Sequence, residues 1–217
     1  MSNDLIPLLW GATVQTLQMV FLSGFIAALA GIPLGVVLHL TKKGQLLQNA
    51  PVNRVLGMLV NAGRSVPFII LLVAIIPFTR LVVGTSIGTM AAVVPLTVGA
   101  IPFIARLIEG ALMEVPAGLV EAAQTMGASP AQIITKVLLP EALPGIVNSI
   151  TITLVTLVSY SAMAGAVGGG GLGDVGIRYG YYRFELDVML ATIVILLVLV
   201  QALQSAGDAL VRRIDHR

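Results

Sequence analysis

Cysteine is absent from the 217-residue chain, so no disulfide, thiolate metal site or dithiol redox pair can form. Histidine is nearly absent too. His39 and His216 stand far apart, without the spacing of a metal site or the partner of a catalytic nucleophile, and no catalytic or metal-binding residue is expected. Charge is scarce, at 10% Asp, Glu, Lys and Arg against about 25% in an ordinary soluble domain. The net charge of +2 is small, and no nucleic-acid partner is expected. Hydrocarbon takes the place of charge: 57% of residues are hydrophobic and the mean hydropathy is +1.00. These values exclude an ordinary soluble enzyme and place the chain in lipid.

Five long stretches carry no charge: residues 5–41, 65–79, 81–105, 142–173 and 188–207. A helix needs about 20 apolar residues to cross a hydrocarbon core, so four of these suffice as they stand. The short one lies between Arg64 and Arg80, whose alkyl stems can reach opposite interfaces. Weak alternation excludes a barrel, whose strands would be about ten residues of alternating polarity. The chain is therefore expected to be a single all-helical membrane domain over 1–217, with five spans at about 13–40, 59–79, 86–105, 145–166 and 187–207.

Charge distribution gives a direction. Lys42, Lys43, Arg54, Arg64, Arg106, Lys136, Arg212, Arg213 and Arg217 fall on one side, and Arg80, Arg178 and Arg183 on the other. Positive charge is enriched in the cytoplasm, which puts the N-terminus outside and the C-terminus inside. The first charged residue is Asp4 and the apolar region runs to Leu40. That is unlike a cleaved signal peptide, which opens on positive charge, and the first stretch is expected to be a retained span.

Gly24, Ala28, Gly31 and Gly35 form a small-residue face on span 1, suited either to a subunit interface or to close packing within the chain. Pro33 is expected to bend the span. The outer connection 167–186 is rich in glycine and tyrosine. Its Gly168, Gly170 and Gly173 spell GxGxxG, but no strand-turn-helix context accompanies them. A Walker A motif is absent, so any ATP must be bound by another chain.

The cytoplasmic connection 106–143 is the one with strong helical punctuation. Pro116 suits a helix start, Leu119, Ala123 and Met126 are expected to share a face, and Gly127 follows the end. Ser129 and Gln132 have capping-box spacing with Pro130 at the first position, and Ile133, Ile134, Val137 and Leu138 make an apolar stripe before Pro140. Two short helices at roughly a right angle follow, forming either a docking knob or a structural hairpin.

In span 4, Ser149, Thr153, Thr156, Tyr160 and Met163 share one narrow helical face. Such a polar stripe lines a translocation path, or its hydroxyls bond back to their own helix. The stripe has no charge, and the flexible thioether of Met163 at its outer end suits a neutral or zwitterionic solute. Charged residues are missing from the span centres and no internal repeat is visible, both of which count against an ion-coupled secondary transporter.

Glu121-Ala122-Ala123, Gly127 and Val137-Leu138-Leu139-Pro140 resemble the EAA motif of ABC-importer permeases, with Val137 where isoleucine is more usual. Arg64-Ser65-Val66-Pro67-Phe68-Ile69-Ile70, Ile76-Pro77-Phe78-Thr79-Arg80, Gly84-Thr85-Ser86-Ile87-Gly88, Pro102-Phe103-Ile104-Ala105-Arg106, Pro140-Glu141-Ala142-Leu143-Pro144-Gly145 and Tyr160-Ser161-Ala162-Met163 are similar to bacterial methionine-importer permeases, with Ser159 where glycine is expected. The resemblance implies a type I ABC-importer permease fold in the bacterial inner membrane and a homodimer. It also implies two ATP-binding subunits carrying ATP and Mg, no cofactor on this chain, and a periplasmic methionine-binding lipoprotein as partner. By motif position, a coupling loop at 114–140 would use Glu121, Ala122, Ala123, Gly127, Leu139 and Pro140. The solute would be methionine, L- and D-, or else another small amino acid.

Overall fold

The computed structural model describes residues 2–215, so Arg217 and His216 lie outside the described residues. Four helices among these are long and apolar enough to cross a membrane: within α1 (Ser2–Leu40), α5 (Thr89–Met113), α9 (Leu143–Ala164, with a further turn to Gly169) and α11 (Leu186–Ile214). Between α1 and α5 lie α2 (Ala50–Ser65), α3 (Phe68–Ala74) and α4 (Ile76–Val83).

The expected single span over 59–79 is broken. α2 and α3 meet at 99°. Pro67 forces this, because its ring drives the preceding residue out of the helical region: Val66 sits at φ −82°, ψ 123°. The arginine pair therefore does not bracket one straight helix.

α1 and α5 pack backbone to backbone. A Cβ on Gly35 would lie 2.5 Å from the Ala105 carbonyl oxygen, and one on Gly31 would overlap Ile104. Gly24 meets Leu154 of α9 at 2.6 Å by the same measure. The small-residue face thus serves packing within the chain. Around it Met19, Val20, Ala27, Leu96, Ala100 and Leu157 form a core in which each side chain is at most 2% exposed, contributing roughly 1.5–3 kcal/mol per large side chain.

As a helix, α5 continues past residue 105 to Met113, and its charges there are neutralised in place. Arg106 donates to Glu109 at 2.5 Å and to Asn61 Oδ1 at 2.6 Å, and Lys42 lies 3.6 Å from the same Glu109. α11 likewise extends beyond 207 to Ile214, with Arg212 and Arg213 in its last turn, where cations suit the helix dipole.

The connection between α9 and α11 is not an irregular loop. It holds α10 (Gly171–Val175) between π-helical turns at Gly165–Gly169 and Gly176–Tyr181. Leu172 and Val175 are buried against Leu9, Ala12 and Val188. The first free amides of α10 are satisfied by α1: the Gly171 N–H donates to Gln15 Oε1 at 2.8 Å and the Leu172 N–H to Thr16 Oγ1 at 2.9 Å. Gly168 and Gly170 take φ of 91° and 78°, so these glycines turn the chain and build no nucleotide loop.

Candidate coupling loop and translocation face

α6 (Ala117–Thr125) follows Pro116, which stands just before the first helical residue. The helix ends on Gly127, whose φ of 78° needs no side chain in its way. Closing bonds run from the Gly127 N–H to the Gln124 carbonyl at 2.9 Å and from the Ala128 N–H to the Ala123 carbonyl at 3.0 Å. A second helix starts at once. The Ser129 hydroxyl accepts from the Gln132 N–H at 3.4 Å, and the Ser129 N–H donates to Gln132 Oε1 at 2.8 Å, completing the expected capping box.

That second helix is α7 (Pro130–Ile133), continued by a π-helical turn at Ile134–Leu138 and by α8 (Leu139–Glu141). The expected stop before Pro140 does not occur. Pro140 has no N–H and its ring needs room within the previous turn. The wider π turn supplies that room, with the Leu139 N–H donating to the Ile134 carbonyl. After Ala142 the chain enters α9 directly, so one nearly continuous arm joins the loop to a membrane helix.

Leu119, Ala123 and Met126 are not buried together. Ala123 is 4% exposed, inside a cluster with Ile108, Leu112, Ile133, Leu138 and Ile146. Leu119 at 42% and Met126 at 81% stand outside with Ala122. Only the small Ala123 fits the close approach of α6 to this cluster. Glu121 lies on the flank, lining a cavity with Lys42 and Lys43. Leu139 is half-buried and Pro140 exposed.

In α9 the polar stripe divides. Ser149 and Thr153 are buried, and their hydroxyls donate back to the Gly145 and Ser149 carbonyls, both at 2.7 Å. Thr156, half-buried, does the same to Ile152 at 2.8 Å. Higher up, Tyr160 stacks on Phe68 with centroids 4.4 Å apart and planes 4° from parallel. Met163 opens onto an apolar groove with Leu196 and Leu197 of α11.

Within the chain, the stripe thus runs through different surroundings. Tyr160 belongs to a cleft of about 180 Å³ with Gly63, Arg64, Phe68, Gly99 and Phe103, at the break between α2 and α3. Arg64 is exposed there and has no ion-pair partner among the described residues. Sequence reasoning placed Arg64 at an interface and missed this cleft; Pro67 was the available signal.

Residues 6–216 match the family model for binding-protein-dependent transport system inner membrane components. The chain belongs to that family. It is an inner-membrane, multi-pass component of this transporter class. It is 70% identical over 210 residues to the probable D-methionine transport system permease protein MetI of Vibrio cholerae serotype O1, covering 97% of this chain and 93% of that one. Among solved structures, it superposes on the MetNI methionine ABC transporter in inward-facing conformations with a TM-score of 0.98 and 56% identity, covering all of both chains. An amino acid ABC transporter solved with histidines shares the fold, with a TM-score of 0.80 at 19% identity over 98% and 96% of the two chains. The fold is thus the type I permease fold, all-helical through the described residues.

Proposed function

We propose that the chain is the membrane-spanning subunit of an ATP-driven importer for methionine, in both L- and D-forms. It acts as a homodimer with two ATP-binding subunits on the coupling side, which hold ATP and Mg. A periplasmic methionine-binding lipoprotein docks on the other face. The N-terminus lies outside and the C-terminus in the cytoplasm, with the bent α2–α3 pair serving as the fifth crossing. The 70% identity with a D-methionine permease supports the solute.

The observation that carries the coupling role is the stiff arm from α6 to α9. Ala123 of α6, Ile133 and Leu138 of the arm, Ile108 and Leu112 of α5, and Ile146 of α9 form one buried cluster. Dense packing does not deform gradually, so a push on α6 moves α5 and α9 together. Leu119, Ala122 and Met126 offer the apolar tip on which an ATP-binding subunit docks, with Glu121 beside it. Gly127, Leu139 and Pro140 shape the joint.

The path runs past Tyr160. The stacked Tyr160–Phe68 pair and Arg64 suit a zwitterion: the guanidinium takes a carboxylate and the rings take an apolar or thioether side chain. Thr156 and Met163 flank this face, while Ser149 and Thr153 support it from within.

Uptake of labelled L-methionine in cells lacking the chain tests this. Wild type restores energy-dependent uptake that excess methionine suppresses, while Glu121→Lys reaches the membrane and restores at most about a tenth of it, a loss of about 1.4 kcal/mol in coupling. Full uptake in that variant overturns the coupling role. Competition by other amino acids but not methionine overturns the solute.

A further inference from the structure

The cleft beside Tyr160 has a second cavity stacked on it. This cavity holds about 170 Å³ and is walled in part by Leu72, Pro95 and Ala164. Each stands four residues from a residue of the cleft on the same helix: Leu72 from Phe68 on α3, Pro95 from Gly99 on α5, and Ala164 from Tyr160 on α9. Residues four apart share a helix face and lie about 6 Å apart along the axis. The two spaces are therefore in register on three helices, with the stacked Phe68 and Tyr160 rings at the level of the cleft. The second cavity reaches Ser86, in the turn between α4 and α5, and Gly169, just past α9. In the proposed topology it is the outer of the two.

Apart from two hydroxyls the outer cavity is lined by apolar side chains, with Val73, Ala91, Ala92 and Val167 among them. Thr79 is one exception: it is only 4% exposed, and its hydroxyl has no hydrogen-bond partner among the described residues. A single hydroxyl donor in an apolar wall suits a weak acceptor such as a thioether sulfur. Ser86 is the other, where its hydroxyl accepts from Arg80 Nε at 3.3 Å. That bond uses one corner of the guanidinium. Arg80 is otherwise exposed, with no ion-pair partner among the described residues, and its two terminal nitrogens can take a carboxylate.

Size narrows the ligand. At about 30 Å³ per water, 170 Å³ is the space of about five or six waters. That is room for a side chain of a few heavy atoms and far too little for a lipid acyl chain. We propose that the outer cavity is a reception site for an α-amino acid with a short, unbranched apolar or thioether side chain. The carboxylate rests on Arg80, the side chain enters beside Thr79 and Leu72, and the Phe68–Tyr160 ring pair separates this site from the inner cleft. The inner cleft repeats the plan with Arg64, so a solute leaving the outer site meets the same kinds of contact about one helical turn further in. This site rests on the import reading.

Photolabelling of the full transporter in nanodiscs, without its binding protein, tests this with a diazirine analogue of methionine as probe. Label falls within 72–95 and 164–169, and excess methionine suppresses it. Arg80→Gln lowers it about tenfold, the worth of one charge-assisted contact. Val73 is 52% exposed, so Val73→Trp fills the cavity from its edge without disturbing the core and lowers the label as well. Equal labelling of wild type and both variants overturns the site, as does label confined to Arg64, Phe68 and Tyr160. Methionine methyl ester lacks the carboxylate charge and competes at least tenfold more weakly than methionine; equal competition overturns the assignment to Arg80. Energy-driven methionine uptake by the wild-type complex with its binding protein keeps the readings apart. Uptake without outer label removes only the outer site, and outer label without uptake removes the import reading.

Discussion

The two ends of α9 are built on opposite plans. At the coupling end Pro130, Pro140 and Pro144, a full capping box and a buried apolar cluster make a stiff arm. At the far end Gly165, Gly168, Gly169, Gly170 and Gly171 follow one another through a π-helical turn into α10. Proline removes backbone freedom and glycine adds it. The difference places rigidity at the end that joins the candidate coupling loop and close backbone packing where the helix meets α10.

Crowding of the far end makes the first prediction, and the largest. A Cβ on Gly173 would overlap the Ala162 carbonyl of α9. Gly173→Ala should therefore cost about 3 kcal/mol, since backbone cannot yield as a side chain can, and appear as a clear drop in the thermal midpoint of the detergent-purified chain. An unchanged midpoint would show that the glycine-rich end is loose, and the contrast would collapse.

Gly127, at the stiff end, has open space around it but φ at 78°. Its requirement is conformational, so Gly127→Ala should cost about 1–2 kcal/mol and Gly127→Asn less, because asparagine tolerates that region. Measured by the same melting curves, equal costs for the two substitutions would mean that the space and not the angle matters.

Between the ends, Thr156 separates packing from passage. Its hydroxyl is satisfied at 2.8 Å by its own helix, so Thr156→Val should change stability by no more than about 0.5 kcal/mol and leave uptake within about twofold. A tenfold fall in uptake at unchanged stability would move the path down to this level of α9.

Much of the coupling loop was legible because its instructions are local. Ser129 with Gln132, Pro130 and Gly127 each specify a turn through neighbours within three or four residues, and the structure has them so. The inward turn of Ala123 was not legible, since the cluster it joins comes from α5, α7 and α9. Pro67 was visible in sequence, yet hydropathy alone could not say that it breaks a span instead of ending one. The uncharged stretch stops at Arg106, and sequence alone did not show that the helix carries on through Arg106 and Glu109, whose partners Asn61 and Lys42 come from distant parts of the chain. In the glycine-rich segment, composition resembles a loop, and only its contacts with α1 and α11 reveal helix.

The bonds from Gln15 and Thr16 to the start of α10 span 156 residues of sequence. At a synthesis rate of about 5–20 residues per second, the partners of these α1 side chains emerge on the order of 10–30 seconds after them. During that interval the nascent first helix carries two polar groups without their final partners. The last contacts of the first helix therefore close only after most of the protein has been made.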